Sequence, residues 1–310
     1  MQKNTALNGK LPNWFRRFFW VPSKRIFAPV ALLCIAYIVW LSWFDIVTLW
    51  AASNGAFLVL ACFFLAVAHF LLPVASREIF YLAGVHVDYR VLLRIHICRL
   101  PARYLPGGIW HTVGRAVDLD GYGVPRPAIA WLVAFENGLA VSTAFSLGGA
   151  LLLFSGGQAI SYSWLVALAA ASGLLMLLVA PLFIRTLWPN AVPDMNPALW
   201  TKCCVWFFLV WTSQAAAFVA YSHALVGGNV PAHMFHAAGV YLFSWAIGFL
   251  AFFAPQGIGV FEATVALLSG KIMFPAAIAM VAGFRLCMLV VDLCLGLGGR
   301  FLRTQSHLAH

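Results

Sequence analysis

The chain has 310 residues, 63% of them apolar and only 9% charged, and its mean hydropathy is +0.92. A water-soluble domain carries nearer a quarter charged residues, so that class is excluded. The formal charge of +10 does not indicate nucleic acid, because six cations (Lys3, Lys10, Arg16, Arg17, Lys24, Arg25) are gathered ahead of the first apolar run.

Residues 1–26 form a basic, aromatic leader, LPNWFRRFFWVPSKRIF, suited to the membrane interface and to a cytoplasmic N-terminus. No small-residue cleavage site follows it, and no cleavable signal is expected. A spanning helix needs about 20 mainly apolar residues. Spans are expected at about 27–44, 56–75, 127–153, 162–184, 201–222 and 234–253, with a last apolar run at 274–298. The expected fold is an all-α polytopic bundle of seven or eight spanning helices, with two Pro/Gly-broken, re-entrant-like segments. One transmembrane domain covers 27–303, and 304–310 is a tail.

Charge placement sets the topology. With the N-terminus inside, the cytoplasmic loops 76–126 and 185–202 hold Arg77, Arg90, Arg94, Arg99, Arg103, Arg115, Arg126, Arg185 and Lys202. The opposite loops, 45–55, 154–161 and 223–233, contain no Lys or Arg, as the positive-inside rule requires. Arg300 and Arg303 favour a cytoplasmic C-terminus. The stretch 255–270 then crosses as a short broken segment, leaving Lys271 outside; otherwise it re-enters and the C-terminus lies outside.

The first broken segment is PARYLPGGIWHTVGR, 101–115. Pro101, Pro106, Gly107 and Gly108 oppose a continuous helix, and a broken helix persists in hydrocarbon only inside protein or beside water. A helix restarting after the break would aim free N–H groups at an anion, with Arg103 and Arg115 adding charge. The alternative is a loop turning at the membrane surface. The second break, APQGIGVFE at 254–262, carries Pro255, Gly257 and Gly259 before Glu262. That glutamate either caps the restarted helix or receives a cation or proton.

An internal repeat at 149 residues is expected, placing Pro106 on Pro255, Gly108 on Gly257, Ile109 on Ile258 and Glu136 on Arg285. Paired broken helices in two halves are a transporter pattern. Ionisable residues inside spans are rare and face the bundle interior. Glu136 lies within the third span, and Arg285 and Asp292 within the last. A Glu136–Arg285 pair is expected, with Asp292 competing for the same arginine. His69, Gln214, Thr212 and Ser213 read as interhelical hydrogen-bonding residues.

Other classes lack their signatures. There is no Walker A, HExxH or GxSxG pattern. DLDGYG at 118–123 is not a complete calcium loop. His223, His233 and His236 have no acidic partner at metal-ligand spacing. The seven cysteines lie mostly in apolar runs and suggest no disulfide framework. No metal or cofactor is expected.

ARYLPGGIWHTVGR, then Glu136 in the following span, then APQGIGVFEATVALL together resemble the transmembrane region family of lysylphosphatidylglycerol synthases. The resemblance rests on Tyr104, Pro106, Gly107, Arg115, Glu136, Pro255, Gly257, Gly259 and Glu262, while Gln256 departs from it. It implies a protein of the bacterial-type inner membrane that moves a phospholipid or lipid-linked headgroup between leaflets. It does not imply aminoacyl transfer, which in the family belongs to a separate soluble domain. On this basis Arg103, Tyr104, Pro106, Gly107, Gly108 and Arg115 would hold the headgroup phosphate, and Glu136, Glu262, Arg285 and Asp292 would form the deeper polar path. Two rivals stand beside the flippase. One is a membrane enzyme using Glu136 or Glu262 as base, which requires a second catalytic group in reach. The other is a scaffold for a partner lipid- or glycan-modifying enzyme, which predicts tightly paired intramembrane charges with no cavity between them.

Overall fold

In a computed structural model of the chain, residues 40, 43–51, 53–104, 110–155, 163–187, 196–226, 231–251, 257, 259–269 and 274–302 are described. The leader 1–26, nearly all of the expected span 27–44, Pro106, Gly107, Gly108, Pro255 and the tail 304–310 lie outside the described residues.

Among the described residues every regular element is helical. In chain order these are α1 (Trp43–Ala51), α2 (Gly55–Leu82), α3 (Tyr89–Arg99), a 3-10 turn (Leu100–Tyr104), α4 (Trp110–Gly121), α5 (Arg126–Phe154), α6 (Ser163–Leu187) and α7 (Pro197–Val226). They continue as α8 (Pro231–Leu250), α9 (Val260–Ser269), α10 (Phe274–Gly298) and a last 3-10 turn (Gly299–Phe301). Five of them, α2, α5, α6, α7 and α10, are long and apolar enough to cross a membrane. The apolar stretch of α8, Met234–Leu250, falls short of that length.

Local chemistry explains the ends. Asn54 caps α2, its side chain accepting from the Ala56 N–H at 3.0 Å, and Asp88 caps α3 by accepting from the Arg90 N–H at 2.7 Å. The expected span 56–75 runs on to Leu82 because its polar continuation turns inward, with Ser76 and Glu78 both buried. Pro73 lies inside α2, where a missing N–H leaves the ladder one bond short. Close by, the Tyr89 hydroxyl donates to the Phe70 carbonyl at 3.1 Å.

The centre of the bundle is α2 against α7, lined by Ala61, Leu65, Cys203, Phe207, Ala217 and Phe218. At their crossing the Ser213 hydroxyl donates to the Phe64 carbonyl at 2.7 Å, across a sequence separation of 149. The remaining packing is reciprocal. Helix α3 packs on α2 and α4, and α8 on α7 and α9; α4 packs on α5, and α9 on α10. Between these groups α2 and α3 touch α10, while α7 and α8 touch α5. Small residues permit the closest crossings, as in membrane bundles generally. A Cβ on Gly148 of α5 would sit 2.8 Å from the Phe243 nitrogen of α8.

Two pairs of segments fold back on themselves. His236, near the start of α8, lies 3.2 Å from the Leu268 carbonyl near the end of α9. At the other end a Cβ on Gly248 would stand 3.3 Å from Phe261 Cβ, so α8 and α9 are antiparallel. In the first part of the chain, Arg99 at the end of α3 pairs with Asp118 near the end of α4. The 3-10 turn and α4 therefore also run back along each other. Helix α6 stands apart, packing on α5 and slightly on α7. Its Leu168, Leu174, Leu178, Leu182 and Phe183 are exposed, as lipid-facing residues of a spanning helix are.

Candidate functional site

Three ion-paired nodes lie inside the bundle, and together they contain all the charged residues singled out from the sequence. In the first, α4 presents Arg115 and α5 presents Glu136. Arg115 Nη1 donates to Glu136 Oε2 and Nη2 to Oε1, each at 2.7 Å. This is a two-pronged fork, the strongest geometry available to a guanidinium and a carboxylate. The Ser76 hydroxyl of α2 also contacts Glu136. Arg115 is 7% exposed, so water contributes little to either charge.

The second node joins α9 to α10. Arg285 Nη2 lies 3.0 Å from Glu262 Oε1, and the other carboxylate oxygen of Glu262 accepts from the Gly259 N–H at 2.7 Å. Glu262 is thus both a cap for α9 and a partner for Arg285, uniting two of the roles the sequence left open. Gly257 and Gly259 carry φ of +65° and +87°, a left-handed backbone that a side chain disfavours. Here they turn the chain into α9. A Cβ on Gly257 would meet the Gly248 carbonyl at 2.8 Å, whereas one on Gly259 meets nothing within 4 Å.

The third node centres on Asp292 of α10, which is 0% exposed. Tyr104 donates its hydroxyl to Oδ2 at 2.8 Å, and Arg103 Nη1 donates to the same oxygen at 3.2 Å. His69 of α2 brings Nε2 to 2.8 Å from Oδ1, and its Nδ1 faces His96 Nε2 of α3 at 3.1 Å. Burial holds the Tyr104 phenol well above its ordinary range, so it remains a donor. Burial, then the nearby charges of Arg115, His69, His111 and Arg103, pushes the His96 imidazole well below its ordinary value.

These contacts correct the expected pairing. Glu136 does not meet Arg285; it is held by Arg115, and Arg285 is held by Glu262. Nor does Asp292 compete for Arg285. Seven residues of helix separate the two by roughly 10 Å along the axis, and Asp292 sits beside the 3-10 turn while Arg285 sits beside α9. Arg103 and Arg115, expected to hold a phosphate, are engaged by carboxylates in this conformation. Sequence reasoning passed over His96 and Ser76 and treated His69 as an ordinary hydrogen-bonding residue. The available signal was Asp292 itself, a carboxylate inside an apolar span that had to find several donors.

Elsewhere the polar residues have local partners. Asp118 pairs with Arg99 and Asp120 with Arg126. Among the described residues no group of three His, Cys, Asp or Glu is placed to hold a metal ion. A cavity of about 510 Å³ between α6 and α7 is lined by Leu178, Arg185, Trp200 and Phe208. Another of about 420 Å³ is bordered by Glu78, Lys202 and Trp206. Neither is lined by the three nodes. No family model matches the chain, and no curated protein matches it.

Proposed function

We propose that this protein is a flippase-like lipid transporter that passes the phosphate-bearing headgroup of a phospholipid or lipid-linked substrate between leaflets. The observation that carries the reading is the placement of Arg115–Glu136 and Glu262–Arg285. Each pair joins the return helix of an antiparallel segment to the following long helix, and each lies roughly 15 Å along that long helix from its N-terminal end. The resemblance of these segments to the transmembrane region of lysylphosphatidylglycerol synthases points the same way.

The proposed topology has six crossings: segment 27–44, then α2, α5, α6, α7 and α10. The α3–α4 segment dips in from the cytoplasm and returns, and α8–α9 dips in from the outside. This places Arg300 inside, with the cytoplasmic N-terminus and the positive-inside pattern; Lys271 remains the exterior exception. It replaces seven or eight crossings because α8 and α9 fold back together instead of spanning. The reciprocal packing and the Ser213–Phe64 contact at 149 residues support an inverted repeat, α2–α5 against α7–α10, about an axis through the α2–α7 crossing.

In this arrangement a headgroup phosphate exchanges with a carboxylate as the partner of a guanidinium. The planar carboxylate and the tetrahedral phosphate each offer a pair of anionic oxygens that accept the same fork, so the anion enters a charge-matched interior instead of bare hydrocarbon. The acyl chains stay in lipid. Vesicles carrying fluorescent phospholipids, with a reductant quenching the outer leaflet, test this directly. The protein should raise the reducible fraction for at least one headgroup, and equal fractions with and without protein across several headgroups overturn the reading.

A second reading, a scaffold for a lipid- or glycan-modifying enzyme, is favoured by one observation: the interior charges are tightly paired. It predicts loss of a partner enzyme's activity on deletion, with no headgroup movement in vesicles. The enzyme reading has less support. Glu136 and Glu262 are each neutralised by an arginine, and Ser76, the hydroxyl beside Glu136, is 0% exposed.

A further inference from the structure

The third node contains more than anion binding requires. Its end groups set the proton positions along it. Asp292 accepts at Oδ2 from both Arg103 and Tyr104, and the adjacent guanidinium favours the ionised carboxylate. His69 Nε2 stands 2.8 Å from Oδ1 but off the line of a hydrogen bond, since Oδ1 has no hydrogen-bond partner among the described residues. Beside a carboxylate the tautomer with its hydrogen on Nε2 is favoured, because a bare nitrogen lone pair there would repel the oxygen. In the neutral ring Nδ1 is then bare, and it accepts from His96 Nε2–H at 3.1 Å. This leaves His96 Nδ1 as the one bare nitrogen of the chain. His96 is 4% exposed, and its Nδ1 has no hydrogen-bond partner among the described residues.

A proton arriving at His96 Nδ1 need not stay there. The ring can release the hydrogen on Nε2 to His69 Nδ1, with no heavy atom moving. The product is an imidazolium at His69 against the Asp292 carboxylate, and a neutral His96 in its other tautomer. One proton enters from water; His96 exchanges one N–H bond for another, and His69 gains one N–H bond and the positive charge.

Charge balance links this event to the headgroup. At rest Arg103 offsets Asp292. A phosphate diester that takes Arg103 leaves a carboxylate at 0% exposure without its permanent cation, and an uncompensated buried charge is strongly disfavoured. A proton on His69 restores neutrality. The surrounding groups supply no substitute. From the 3-10 turn come Arg103 and Tyr104, and from α4 come His111 and Arg115. Glu136 of α5 is held by Arg115, Glu262 of α9 by Arg285 of α10, and Tyr241 of α8 donates to Gln214 at 3.2 Å.

We infer that His96, His69 and Asp292 form a proton-binding site coupled to the headgroup site, so that a phosphate diester engaging Arg103 brings one proton onto His69. The inference rests on the transport reading and supplies the ion that reading needs for net movement.

The test titrates the full-length protein in micelles with dioctanoyl phosphatidylglycerol and, separately, with dimethyl phosphate, in weakly buffered solution containing a pH-indicator dye. Both ligands are diesters that do not themselves titrate near neutrality. Binding should take up about one proton, and affinity should rise about tenfold for each unit of acidification across the site's titration. Uptake with both ligands assigns recognition to the phosphate group, and uptake with the lipid alone assigns it to the lipid. His69→Gln and Asp292→Asn should bind without uptake and with a flat pH profile; His96→Gln, which leaves Asp292 and Arg103 in place, should bind with slowed or absent uptake. Binding without proton exchange, or uptake unchanged in His69→Gln, overturns the proton site and leaves the transport reading standing. Absence of both binding and headgroup transfer overturns the two together.

Discussion

The Arg115–Glu136 and Glu262–Arg285 pairs each join a short helix to the long helix that follows it, with their signs exchanged. In the first part of the chain the cation is on the short return helix and the anion on the long one, Arg115 on Glu136. In the second the anion is on the short helix and the cation on the long one, Glu262 on Arg285. They also differ in closure. The first is a two-pronged fork with side chains 8% and 12% exposed, and in the second Arg285 lies 3.0 Å from Glu262 with its side chain 25% exposed. What the bundle requires at these places is therefore a neutral link between return helix and spanning helix, not a particular sign on either.

The largest test of that contrast removes one partner. Arg115→Met strands a buried carboxylate and should destabilise the protein by about 3–5 kcal/mol, read as thermal unfolding in detergent. Arg285→Met, at a more open pair, should lose only about 1–3 kcal/mol. A larger loss at 285 than at 115 would reverse the ranking. Charge exchange comes next. Arg115→Glu combined with Glu136→Arg should recover most of the stability lost by either single change, yet abolish headgroup transfer in vesicles because the guanidinium has moved to the other helix. Undiminished transfer would remove the first pair from the transport path.

The glycines before α9 give a finer comparison. Gly257→Ala adds a clash with Gly248 to a left-handed backbone, about 1–3 kcal/mol of overpacking beyond the strain itself. Gly259→Ala meets open space and should lose about 1–2 kcal/mol from strain alone. Equal losses would show that the Gly248 approach relaxes freely. The smallest effect belongs to the surface pair Asp120–Arg126. The hydrogen bond from Arg126 holds the Asp120 carboxyl below its ordinary value. Its contribution is therefore present above the ordinary carboxylate range and lost as acid protonates it. Asp120→Asn should remove that small contribution at neutral pH and flatten the acid-side dependence, in acid-titration melts.

The expected spans 127–153 and 201–222 fall within α5 and α7, 162–184 falls within α6 but for its first residue, and 274–298 coincides with α10. Apolar length is a local property, so a window of sequence contains it. Which charges meet is not local. Asp292 finds partners 188 and 189 positions away, at a depth set by how the 3-10 turn packs on α10. The expected Glu136–Arg285 pair failed for an instructive reason. Under the proposed repeat these residues would be equivalents, and residues related by a twofold axis occupy matching places in their own halves, meeting each other only when they lie on the axis. On that proposal Ser213 and Phe64, which touch, lie near the axis, while Glu136 and Arg285 lie away from it and pair with Arg115 and Glu262 instead.

Helix α6 is the least integrated long helix, with 17% of its apolar window buried and a lipid-facing row of leucines. Yet it sets the parity of the proposed arrangement. Each repeat contains two crossings and returns the chain to the leaflet where it began, so two repeats joined directly would point the same way. One extra crossing between them turns the second upside down. In the proposed topology the helix that contributes least to the core is thereby what makes the two dipping segments approach from opposite leaflets.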